Sequence, residues 1–134
     1  MDILGIEHIG VAVGDLAACV KTLEETLGIP CSARERVEPN KVEVAVFEVG
    51  NTRIELVTPA GEGSPVSKFL AERGNGLHHI CLRVADVAAC LDELKTKGVE
   101  LVDKVPRTGA FGHKVAFLKP KSVFNILIEL SEHK

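Results

Sequence analysis

The chain repeats itself: "EHIGVAVGDLAACV" (Glu7 to Val20) returns as "HHICLRVADVAACL" (His78 to Leu91). Setting His8 over His79 superposes Ile9 on Ile80, Val13 on Val84, Asp15 on Asp86, and Ala17, Ala18 and Cys19 on Ala88, Ala89 and Cys90. With a one-residue gap, Leu27-Gly28-Ile29 meets Lys97-Gly98-Val99. So many matches in so short a window point to duplication. Two copies are too few for a solenoid, and in a chain of 134 residues neither half buries enough apolar surface to stand alone. The expectation is a closed pseudo-twofold pair sharing one core. That makes a single domain over 1–134, with module one at about 1–60, a linker with a short helix at about 61–76, and module two at about 77–134.

Within each copy the apolar period changes from 2 to 3.6, as a strand gives way to a helix capped by Asp15 or Asp86. Leu16, Val20, Leu23 and Leu27 fall on one face of the first helix before Gly28; Val87, Cys90, Leu91 and Leu94 do so in the second before Gly98. Strand-like segments follow: "CSARERV", "KVEVAVFEVG" and "TRIELVTP" in the first half, with a hairpin turn at Gly50-Asn51, then "VELVDKV", "GHKVAFLKP" and "FNILIEL" in the second. The linker predicts a helix over Ser64–Arg73, opened by Ser-Pro. The fold class is therefore α+β: two tandem β-α-β-β-β modules related by a pseudo-twofold, forming a curled, cup-like mixed sheet.

A composition of 46% hydrophobic and 26% charged residues with net charge −3 describes an ordinary globular chain, not a disordered one. No Lys/Arg run has the density of a nucleic-acid or membrane-surface patch, and the N-terminal apolar stretch is too short to span a bilayer and lacks a basic leader. Neither nucleic acid nor membrane is expected as a partner, and the expected location is cytoplasmic. Cys19, Cys31, Cys81 and Cys90 form no C-x-x-C pair, which suits small buried hydrophobes in a reducing compartment.

Strand alternation sorts the polar residues. Ile9, Val11 and Val13 line one face of the first strand, leaving His8 on the other among the small residues Gly10 and Ala12; His79, Cys81 and Arg83 likewise oppose Ile80, Leu82 and Val84. Glu55, Glu129 and Glu43 each lie between two apolar residues and are expected to point away from the apolar face. The repeat pairs Glu55 of "RIEL" with Glu129 of "LIEL", as it pairs His8 with His79. A single strand glutamate is ordinarily a solvent-facing residue. A duplicated histidine with a duplicated glutamate points instead to a metal site. Two imidazoles and two carboxylates suit a divalent ion such as Co, Zn, Ni or Mn, with two positions of an octahedral shell open to a bidentate oxygen ligand.

From "EHIGVAV" to "LIEL" the sequence resembles the vicinal oxygen chelate superfamily and, within it, the methylmalonyl-CoA epimerase family. The most specific likeness lies in "GSPVSKFLAERGNGLHHICLRV", with further likeness in "GAFGHKVAFLKPKS". The resemblance implies metal ligands at His8, Glu55, His79 and Glu129, and acid/base residues at Glu43 and Glu129. It implies a small-molecule acyl-CoA substrate, a homodimer, and R/S epimerisation of methylmalonyl-CoA by removal and return of the α-proton through a metal-stabilised enolate. Enclosure in an apolar cup is expected to raise the basicity of Glu43. His78 is given no chemical role. Two features depart from the family pattern: Lys119 replaces a histidine before "PKS", and Val123-Phe124-Asn125 replaces paired glycines. Lys119 and Lys121 are candidates for CoA phosphates or for plain surface charge. Two competing readings are a glyoxalase I type lactoylglutathione lyase, disfavoured by Ala12 where such enzymes carry arginine, and a non-catalytic small-molecule binding protein on the same fold.

Overall fold

The structure, a computed structural model, describes residues 1–38 and 40–133. The chain divides into two compact units: His8–His78, and residues 1–7 together with the chain from His79 onward.

The His8–His78 unit contains the C-terminal part of β1 (Ile3–Ala12), then α1 (Leu16–Thr26), β2 (Cys31–Val37), β3 (Val42–Val49), β4 (Thr52–Pro59) and α2 (Pro65–Arg73). Its strands run in the order β2-β3-β4-β1, antiparallel except for the parallel β4–β1 pair that α1 and the hairpin make possible. Asp15 sits in extended backbone and its Oδ1 accepts from Ala18 N at 3.0 Å, the N-cap that the repeat predicted; such a cap contributes ~1 kcal/mol. Gly50, at φ 58°, lets the β3–β4 hairpin turn in two residues between Val49 and Thr52. The core packs Leu16 and Val20 of α1 on Val13, Ala45, Phe47 and Leu56. Leu27, expected on the buried helical face, is 63% exposed, because α1 has already ended and Leu27 is its C-cap. The predicted linker helix forms with Ser64 Oγ accepting from Val66 N and Pro65 in the first turn. It belongs to this unit, tied in by Lys41 Nζ donating to Glu62 O and by Gly14 N donating to Asn75 Oδ1.

The other unit contains β5 (Gly76–Val84, from His79 on), α3 (Val87–Thr96), β6 (Arg107–Thr108), β7 (Lys114–Leu118) and β8 (Leu127–Glu132). The order is β5-β8-β7-β6, again antiparallel except for one parallel pair, β5–β8. Asp86 caps α3 as Asp15 caps α1, its Oδ1 accepting from Ala89 N at 3.0 Å. All four residues expected on the α3 face, Val87, Cys90, Leu91 and Leu94, are buried against Val84, Ala116, Leu118, Ile128 and Leu130. Residues 1–7 group here: the Met1 amino group lies 3.1 Å from Glu93, and Glu7 lies 3.6 Å from Arg83.

"VELVDKV" does not form the predicted strand. Only an isolated bridge joins Leu101 to Leu118, and the edge strand is the two-residue β6 further on. Val102 N and Asp103 N both donate to Phe117 O, while the Asp103 carboxylate accepts from Phe117 N at 2.8 Å. A side chain thus takes the place of a ladder partner, and Pro106, which has no N–H, bars a regular continuation. Among the described residues no helix is long and apolar enough to cross a membrane, and all four cysteines are free thiols.

Candidate metal centre

Each unit brings one histidine to one glutamate by the same device. In the first, β1 runs parallel to β4 with Gly10 in register with Glu55, so His8, two residues earlier, shares the face of Glu55. His8 Nδ1 lies 3.1 Å from Glu55 Oε2, and both side chains are buried. In the second, β5 runs parallel to β8 with Cys81 in register with Glu129, and His79 again stands two residues earlier. His79 Nε2 lies 3.2 Å from Glu129 Oε1, both buried. The opposite faces of these strands carry Leu56 and Val13 in one unit and Ile128, Leu130 and Val84 in the other, each packed under its helix. The pairs therefore lie on the faces turned away from α1 and α3, as strand alternation predicted.

The donor sets fit a borderline divalent ion. Burying a carboxylate is costly without a cation or hydrogen-bond donors, and each of these carboxylates is buried beside an imidazole nitrogen able to serve as a ligand.

Glu43 is placed differently from the expectation. It lies in register with Thr58, whereas Glu55 is opposite Val46, so alternation along β3 puts Glu43 on the face of Ala45 and Phe47, which packs against α1. Because residues 42–47 are apolar on both faces, alternation alone did not reveal which face lies under the helix. Nor is the side chain enclosed in apolar surroundings: it is 41% exposed, with Arg34 Nη2 3.6 Å from Oε2.

His78 packs edge-on against Phe69 of α2, with ring centroids 5.0 Å apart. Lys121 Nζ is 2.9 Å from Glu100 Oε2, and that contact holds the Glu100 carboxyl below its ordinary range. In the "VFN" segment Phe124 and Asn125 take φ 40° and 62°, so the backbone keeps left-handed conformations where the family pattern has glycines.

Two groups escaped the sequence reading. Glu7 is buried near Arg83, with His133 Nε2 4.0 Å from its carboxylate; the His133 ring stacks on His113 at 3.8 Å and its Nε2 is 3.0 Å from Ser131 Oγ. The signal was available in part, since Arg83 shares the alternating face of His79. The other group is Phe117, in register with Glu129, with its ring edge-on to His79 at 6.0 Å and Arg107 5.0 Å over its face.

A family model described as the glyoxalase/bleomycin resistance protein/dioxygenase superfamily matches residues 7–117. The chain belongs to this superfamily. Within it, the chain is similar to methylmalonyl-CoA epimerases over nearly its whole length. It is 38% identical over 129 residues to the ethylmalonyl-CoA/methylmalonyl-CoA epimerase of Cereibacter sphaeroides, covering 95% of this chain and 96% of that one. The structure of methylmalonyl-CoA epimerase from Mycobacterium tuberculosis matches with a TM-score of 0.94 at 31% identity, covering 98% of this chain and 89% of the other. A Streptomyces coelicolor methylmalonyl-CoA epimerase variant in complex with 2-nitronate-propionyl-CoA matches at 0.93 and 34% identity, covering 98% and 95%. The two β-α-β-β-β modules expected from the repeat are the fold these proteins share.

Proposed function

We propose that the protein is a metal-dependent epimerase that interconverts the R and S forms of methylmalonyl-CoA. The observation that carries this reading is the pair of matched, buried His–Glu contacts, each built by a parallel strand pair with the same two-residue offset. The relatives bearing the epimerase name supply the substrate class. In this reading His8, Glu55, His79 and Glu129 hold one divalent ion of the Co, Zn, Ni or Mn group. When bound, such an ion supplies Lewis acidity toward negative charge developing on substrate oxygens.

The protein's own residues move the proton. A carboxylate on one side of the α-carbon removes it, and a carboxylic acid on the other side returns it. Glu129 is the nearer candidate, because it is buried and already beside His79. Glu43 is proposed as its counterpart on the family pattern. Positioned acid/base groups contribute about 10²–10⁴-fold in rate, so substitution of Glu43 tests that role. A cytoplasmic homodimer completes the proposal.

The test is incubation of the metal-loaded protein with methylmalonyl-CoA in D₂O. Deuterium entering at the α-carbon, abolished by chelator and restored by metal, is the expected result. Turnover of the methylglyoxal–glutathione hemithioacetal with no exchange into methylmalonyl-CoA would favour the lyase reading. Ligand binding with neither reaction would favour a binding protein.

A further inference from the structure

Phe117 is the aromatic residue in register with the proposed base. β7 pairs antiparallel with β8 so that Phe117 lies opposite Glu129, on the face that also carries His79 and Cys81. Its ring is edge-on to the His79 imidazole, 6.0 Å between centroids. The ring is only partly buried, whereas its strand neighbours Ala116 and Leu118 are packed into the core under α3. An apolar ring left partly open beside a buried His–Glu pair offers surface to a ligand.

The ring is held by polar contacts. Asp103 accepts from Phe117 N through Oδ2 at 2.8 Å and faces Arg107 Nε through Oδ1 at 3.3 Å. The Arg107 guanidinium lies 5.0 Å over the ring centroid. One carboxylate thus fixes both the backbone under the ring and the cation above it, so the ring is anchored from two sides. This is the kind of support that gives a binding surface a defined shape.

We propose that Phe117, clamped by Asp103 and Arg107, is the wall against which the α-alkyl substituent of a malonyl-type thioester packs, and that it sets the size of substituent the enzyme accepts. The inference rests on the epimerase reading and deepens it. Glu129 must reach the α-carbon for that reading to hold, and a group attached to that carbon then lies beside the residue in register with Glu129. Relatives named for methylmalonyl-CoA alone, and for both ethylmalonyl- and methylmalonyl-CoA, show that substituent size varies among similar proteins.

The experiment compares kcat/KM for methylmalonyl-CoA and ethylmalonyl-CoA in the metal-loaded wild type, in Phe117→Leu and in Arg107→Gln. One methylene in an apolar pocket is worth ~10–200-fold in discrimination. Phe117→Leu is therefore expected to shift the ethyl-to-methyl ratio by about tenfold or more in favour of ethyl. Arg107→Gln, which frees the ring without removing it, is expected to shift the ratio in the same direction by a smaller factor. Arg107 is 43% exposed, so its replacement keeps the test alive if Phe117→Leu fails to fold. A wild type active on methylmalonyl-CoA whose ratio is unmoved by the folded variants overturns the inference and leaves the epimerase reading standing. A wild type that exchanges neither substrate overturns both.

Discussion

The two His–Glu pairs match in construction and differ in surroundings. In both, a histidine stands two residues before the position in register with its glutamate on a parallel neighbour. His8 offers Nδ1 to Glu55 and has only Gly10 and Ala12 further along its face, with fully buried Val46 opposite the glutamate. His79 offers Nε2 to Glu129 and is followed on its face by Cys81 and Arg83, with the clamped, partly open Phe117 opposite the glutamate. At the strand position where the first unit has Glu43, three residues before the partner of the site glutamate, the second has Lys114. Duplication explains the common frame. Under the proposed function these differences assign separate tasks: the first pair serves as a plain, close-packed ligand pair, while the second combines proposed ligand, proposed base and proposed substrate wall.

The sharpest way to break this division is to compare Glu129→Gln with Glu43→Gln in α-proton exchange. Glu129→Gln is expected to lower both exchange and metal affinity. Glu43→Gln is expected to keep metal while losing exchange by about 10²-fold or more. Metal-replete Glu43→Gln with exchange near the wild-type rate would remove Glu43 from the mechanism and leave the chemistry to the second unit.

Core truncations come next. Leu91→Ala deletes a fully buried side chain of the second unit's core and is expected to cost about 3–4 kcal/mol in urea unfolding. Leu16→Ala, at the first helical residue over the other core, is expected to cost about 2–3 kcal/mol. Equal losses would mean that the first helix start is as tightly packed as the middle of α3.

The repeat foretold the β-α-β-β-β order and both Asp caps, and Ser-Pro in the linker foretold α2, because each depends on local chemistry or on period. It misjudged what depends on tertiary partners. "VELVDKV" has strand composition, yet Asp103 gives its side chain to Phe117 in place of a backbone ladder. β3 is apolar on both sides, so nothing local told that Glu43 shares the α1 face. The clamp on Phe117 joins residues fourteen and ten positions apart in sequence and leaves no local pattern to read.

Smaller effects sharpen the comparison further. Phe124, 75% exposed at φ 40°, belongs to a loop of the second unit that bends without glycine. Phe124→Gly is expected to raise stability by about 0.5–1 kcal/mol in the same urea assay, since a left-handed non-glycine residue costs ~1–2 kcal/mol and glycine recovers part of that. No gain would mean that the loop relaxes without strain. Smallest is thiol reactivity. Burial pushes the Cys90 thiol up, so at pH 8 less of it is thiolate, and it is expected to alkylate more slowly than its repeat partner Cys19, which is only half-buried. Equal iodoacetamide rates by peptide mass analysis would contradict the tighter packing of α3.

The central claim, that two duplicated pairs make one metal site, is met most directly by metal stoichiometry in wild type, His8→Ala and His79→Ala after reconstitution with Co²⁺ and gel filtration. The expected result is one ion per chain in the wild type and lowered occupancy in both folded variants, since each replacement removes one of the four proposed ligands. A full equivalent of metal retained in either variant would contradict a shared site.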